Sequence, residues 1–245
     1  MASPLLEVRS VTVRFGGVMA LNDVSFDVEE GEGVALVGAN GAGKSTMVGV
    51  VSGAQRCRPG SVRFAGVDVT RAAPHTVAAL GLARTFQIVQ PFSGLTAREC
   101  TALGAMYGAT AGRRVGARDV NALADEALEF VGLTAFAEQP TDSLNAAQRR
   151  MLEIARAVAA RPRLILLDEV LSGLNSAEIQ RGLGLVNAIL AKGTAVIMIE
   201  HVVQAVAGVA KRIVVLDQGG VIVDGPAAEV LQDERAVSAY FGVTR

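Results

Sequence analysis

The 245-residue sequence has no tryptophan and only two tyrosines, two histidines and two cysteines. Cys57 and Cys100 lack metal-ligand spacing, which argues for a reduced cytosolic chain. No run of about 18 uncharged apolar residues occurs, so no membrane-spanning helix is expected. The start, "MASPLLEVRS", has no basic stretch followed by an apolar one, so no signal peptide is expected. Neither charge sign dominates. A formal net charge of -1 gives no global attraction to nucleic acid or anionic lipid. Basic residues cluster locally, as in "GRRVGAR" at 112–118, which reads as a solvated loop. Internal repeats, linkers and low-complexity segments are also missing.

What is present is globular. Hydrophobic residues make up 51% and charged residues 19%. The apolar excess is mostly alanine and valine, as in a tightly packed α/β protein. The length suits one large domain or two small ones with a substantial core.

The N-terminal part alternates. Val11, Val13 and Phe15 are placed on one face of a strand, and Val24, Phe26 and Val28 on one face of another. "VALVG" is an unbroken apolar run, as in a buried parallel strand. "SVRFAGVDV" reads as a strand pair. Residues 95–160 read as helical. Leu123, Ala127, Leu128 and Val131 share a helix face that Gly132 can end. Met151, Leu152, Ala155 and Val158 share another, stopped by Pro162. "LILLDE" and "TAVIMIEH" are further buried strands, and "IVVLDQGGVIVDGP" is a hairpin. The order predicts one α/β unit with a helical insertion.

Chemistry enters at "GANGAGKST", Gly38, Ala39, Asn40, Gly41, Ala42, Gly43, Lys44, Ser45 and Thr46. It fits G-x-x-x-x-G-K-[ST] between a strand and a helix. Glycines let backbone N–H groups curl around an anion, and the helix offers its positive end to phosphates. Lys44 is expected to reach the β- and γ-phosphates of ATP, and Ser45 to hold Mg²⁺. Asp168 ends the apolar run of "RLILLDE", where α/β sheets bind ligands, and is expected to help hold that metal. Its neighbour Glu169 is expected to polarise the attacking water.

A Gln-bearing loop, "RTFQIVQPF", then "LNAAQRR", "RLILLDE" and "IMIEH" follow in that order. This order resembles the ATP-binding cassette family over essentially the whole chain. "RFGGVMALNDVSFDVEEGE", "ARTFQIVQPFSGLT", "SGLN" and "AYFG" are similar to the ATPase subunits of branched-chain amino-acid importers. The resemblance implies a P-loop NTPase core with an N-terminal antiparallel β subdomain and an inserted α-helical subdomain, approximately 90–160, in one domain spanning 1–245. It implies that Phe15 stacks on adenine. Gln87 would sense Mg²⁺ and the attacking water, and His201 would contact the γ-phosphate. It further implies a peripheral subunit on the cytoplasmic face of the membrane, bound to permease subunits, with a solute-binding protein as an indirect partner. His75 receives no role. Two rival classes are a soluble cassette ATPase without a transport role and a non-hydrolysing regulatory subunit.

In this family "LSGGQ" contacts the γ-phosphate bound to a partner chain. Here Leu144, Asn145, Ala146, Ala147 and Gln148 stand in its place. Asparagine is a good N-cap and can donate to phosphate. The alanines leave two alternatives. In a left-handed backbone each costs about 1–2 kcal/mol, which would take roughly one to three orders of magnitude from the rate. In a plain helix N-terminus alanine is favourable. The weakened string favours a heterodimer, in which only one of two ATP sites carries it. Asn175 and Val170, where the wider family has Asp and Pro, read as features of the branched-chain lineage.

Overall fold

The computed structural model describes residues 3–85, 92–108, 116–200 and 203–241. β1 (Leu6–Phe15) and β2 (Val18–Val28) form an antiparallel hairpin about a Gly-Gly turn. Val24, Phe26 and Val28 are buried as their alternation requires. Val11 and Val13 are buried too, but Phe15 is 50% exposed. A register shift between Val13 and Arg14 breaks the alternation before it reaches Phe15. β3 (Gly33–Val37) leads through the glycine-rich loop into α1 (Lys44–Val51). β4 (Ser61–Phe64) and β5 (Val67–Asp68) pair as the sequence suggests.

α2 (Pro74–Ala79) and β6 (Leu82–Arg84) precede the helical block. That block contains α3 (Ala97–Tyr107), α4 (Ala117–Phe130) and α5 (Ala146–Ala159). Ala127, Leu128 and Val131 are buried, and Gly132 turns the chain out of α4 with a φ of 76°. Met151, Leu152 and Ala155 are the buried stripe of α5. β7 (Leu164–Asp168), α6 (Ser176–Ala191), β8 (Ala195–Ile199) and α7 (Val203–Val209) follow. β9 (Arg212–Asp217) and β10 (Gly220–Pro226) make the expected hairpin. α8 (Ala227–Val230) and α9 (Glu234–Phe241) end the described chain.

Among the described residues the strands form two sheets. One runs β2-β1-β4-β5 and is antiparallel; the other runs β10-β9-β3-β8-β7-β6 and is parallel except for β10. The period of two divides the parallel strands between cores. Leu164, Leu166 and Ile197 face the cluster shared with the antiparallel sheet. Ile165, Leu167, Val196 and Met198 face the cluster formed with α3, α4, α5 and α6. Because β3, β7 and β8 are parallel, their C-terminal ends lie along one edge of the sheet. Gly38, Asp168 and Glu200 stand at or just beyond those ends.

Candidate functional site

The glycine-rich loop is wedged between two hairpins. A Cβ on Gly38 would stand 2.1 Å from the Leu216 carbonyl oxygen of β9, and its φ is 150°. A Cβ on Gly43 would stand 2.5 Å from the Ala20 carbonyl oxygen of β2, at a φ of 106°. No other residue type fits either position. The Gly219 N–H, in the β9–β10 turn, donates to the Ala42 carbonyl at 3.1 Å. The tail hairpin therefore braces the loop from behind, a contact that local periodicity does not reveal.

Lys44 is buried, and its Nζ donates to the loop carbonyls of Gly38 at 2.7 Å and Ala39 at 2.9 Å. Burial pulls its ammonium below the ordinary lysine range, while Glu169 and Asp168 pull it back up. The loop thus holds a cation at the start of α1 beside N–H groups that no helix turn consumes. This arrangement suits a polyphosphate.

Asp168 ends β7 and is 2% exposed. Burial pushes its carboxyl above the usual range, and the Arg84 guanidinium opposes that shift. Arg84 Nη2 lies 3.2 Å from Asp168 Oδ2. The Asp168 N–H donates to Thr85 Oγ1 at 3.0 Å, and that hydroxyl donates to the Leu166 carbonyl at 3.3 Å. Glu169 sits in the left-handed region with a φ of 52°, its N–H donating to the Ile199 carbonyl at 3.0 Å. A glutamate in that region stores strain, and such strain collects at functional sites. Glu200 is 1% exposed and accepts the Leu171 N–H at 2.9 Å, tying the end of β8 to the turn after Glu169.

Ser45, Arg84 and Asp168 line one cavity of about 860 Å³, together with Phe92, Leu103 and Tyr107. Among the described residues no group of three or more His, Cys, Asp or Glu side chains could hold a metal. Mg²⁺ needs none, because it keeps several waters and takes one or two protein oxygens beside substrate phosphates. A hydroxyl and a buried carboxylate on one cavity fit that ion.

Asn145 is the N-cap of α5, with extended backbone at φ -71° and ψ 172°. Its Oδ1 accepts the Gln148 N–H at 2.8 Å, and Gln148 Oε1 accepts the Asn145 N–H at 2.9 Å. This reciprocal box satisfies two helix-end donors. Ala146 and Ala147 are the first helical residues, with no positive φ. Of the two alternatives, the plain helix N-terminus is the one adopted. Asn175 caps α6 by the same device, with Glu178.

Phe15 projects from the end of a hairpin whose second strand packs on the loop through Ala20 and Leu21. Gln87 and His201 lie outside the described residues. Arg84, Thr85 and the bracing Gly219 are contributions that sequence reasoning missed. Arg84 and Thr85 stand in the quoted "ARTFQ", but only the β6–β7 pairing reveals what they touch.

The family model described as ABC transporter matches residues 21–172. The chain is 34% identical to the high-affinity branched-chain amino acid transport ATP-binding protein BraF of Pseudomonas aeruginosa, over 99% of both chains. It is 31% identical to the probable branched-chain amino acid transport ATP-binding protein LivG of Archaeoglobus fulgidus, over 97% of this chain and 95% of that one. It is 30% identical to BraG of Pseudomonas aeruginosa, described in the same words as BraF, over 97% of this chain and 100% of that one. Among solved structures, a nucleotide-free ATP-binding cassette from an ABC transporter superposes with a TM-score of 0.86 at 27% identity, over 99% of this chain and 100% of that one. The ADP conformation of such a cassette superposes with a TM-score of 0.85 at 26% identity, over 99% and 100%. The expected P-loop fold, with its antiparallel and parallel sheets, is the fold observed.

Proposed function

The chain belongs to the ABC transporter family of ATPases, and on that premise we propose that it hydrolyses ATP to power import of branched-chain or related amino acids. The observation that carries this reading is coverage. The resemblance to BraF runs over 99% of each chain, so the likeness is to a whole subunit and not to a shared motif.

We assign residues 1–245 to one cassette with the helical part, approximately 90–160, inserted in it. Phe15 stacks on the adenine. The amides of residues 38–46 and the Lys44 ammonium hold the phosphates. Ser45, Asp168 and Gln87 would hold Mg²⁺, which would supply positive charge against the phosphates. Glu169 orients and deprotonates the attacking water, and His201 contacts the γ-phosphate. Asn145, Ala146, Ala147 and Gln148 face the ATP of a second chain. ATP closes the pair, and hydrolysis reopens it.

A heterodimer is favoured. Pseudomonas aeruginosa carries two relatives described in the same words, BraF and BraG, and both match this chain nearly end to end. The movement passes to membrane permease subunits through the loop at Gln87. Its neighbours Ile88, Val89, Pro91 and Phe92 are apolar, and Phe92 is exposed on the cavity that α3 and α5 line. No described helix is long and apolar enough to cross a membrane, consistent with a peripheral subunit at the cytoplasmic face. A solute-binding protein on the far side would deliver the cargo.

The test is uptake of labelled leucine, isoleucine and valine into vesicles carrying the complete transporter. Uptake that needs internal ATP and disappears in Glu169→Gln supports the reading. ATP turnover with no uptake of these or related amino acids contradicts the assignment of cargo.

A further inference from the structure

The Asp168 carboxylate already has a cationic partner inside the protein. Arg84 reaches it from the end of the neighbouring parallel strand, Nη2 to Oδ2 at 3.2 Å. The pair is sheltered, with the Arg84 side chain 20% and the Asp168 side chain 3% exposed. At that depth a charge–charge contact is weakly screened by solvent and salt. Both residues line the cavity that also contains Ser45. The neighbouring Thr85 hydroxyl fixes the Asp168 backbone from the same strand end.

We propose that Arg84 is a positioning residue that occupies the Asp168 carboxylate in place of the divalent cation and must yield its hold for the metal to settle. This inference rests on the reading of Asp168 as the metal carboxylate. Two cations compete for one buried anion. A guanidinium this near opposes entry of a 2+ ion, and so raises the metal concentration at which the site fills. In exchange it adds to the weaker pull of Lys44 in compensating a buried carboxylate, whose charge is costly to leave uncompensated.

The test is Mn²⁺ affinity of the full chain in the presence of ADP at pH 8, read by electron paramagnetic resonance, with melting temperature in EDTA as a second readout. Arg84→Met is expected to bind Mn²⁺ tighter by roughly three- to thirtyfold, the range for losing one nearby charge in a half-buried site. Its melting temperature is expected to fall in EDTA and to regain more than wild type on adding metal. Arg84→Gln, which keeps a donor without the charge, is expected to shift affinity the same way and serves if the Met variant does not fold. Unchanged or weaker Mn²⁺ binding in the folded variant would overturn the proposal. Asp168→Asn separates the two readings. If it leaves affinity unchanged, Asp168 is not the metal carboxylate and the proposal falls with that reading. If it weakens affinity while the Arg84 variants do not tighten it, the proposal for Arg84 alone is wrong.

Discussion

The phosphate loop and the signature segment are both read as glycine-dependent phosphate motifs, yet only the first needs its glycines. At Gly38 and Gly43 the space for a Cβ is already taken by backbone carbonyl oxygens, and both φ values are positive. At Ala146 and Ala147 the chain is ordinary helix, capped by Asn145 and Gln148. Glycine is required by a backbone conformation and its neighbours, not by a motif's name. On the proposed reading, any cost of the alanines lies in the room their methyl groups take where a partner's phosphate would approach.

The largest effect should come from the strand end that faces the phosphate loop, where the chemistry is read. Glu169→Gln is expected to lower turnover by about 10²–10⁴-fold while ATP still binds, measured as kcat beside nucleotide affinity. Equal losses of binding and turnover would mean that Glu169 holds the fold and not the water.

Gly38→Ala comes next. Overpacking against Leu216 and the forced φ are expected to cost about 2–6 kcal/mol, seen in denaturant melts as loss of stability and of ATP binding. A stable, ATP-binding variant would remove the steric half of the comparison.

Asn145→Ala removes the cap of α5 and is expected to cost about 1 kcal/mol of stability. On the proposed reading, in which the segment serves another chain's nucleotide, its effect on ATP bound by this same chain should be nil.

The smallest effect sharpens the contrast most. Ala146→Gly and Ala147→Gly are each expected to lower stability by about 0.5–1 kcal/mol, the ordinary helix penalty. A gain in stability would show that the alanines are strained after all.

Much of this was legible in the sequence, for identifiable reasons. The loop, the strand carrying Asp168 and the tail hairpin are local patterns, and local patterns survive in sequence. The β1 alternation failed at Phe15 because a register shift lies in the pairing and not in the residue order. Arg84 and Thr85 escaped because they meet Asp168 only when distant strands pair in parallel. The left-handed Glu169 escaped because glutamate carries no sign of φ. The conformation of Ala146 and Ala147 could not be read because both alternatives use the same letters. Gln87 and His201 stand on sequence alone, outside the described residues.

The central claim is that this chain holds a complete phosphate site and draws its signature from a different chain. The most direct measurement is the steady-state ATPase rate per chain against the concentration of this chain alone. The account predicts ATP binding with a low, flat rate at every concentration, rising only when a second ATPase chain is added. A rate per chain that climbs with its own concentration would contradict it, and would show that "LNAAQ" on an identical partner completes the site.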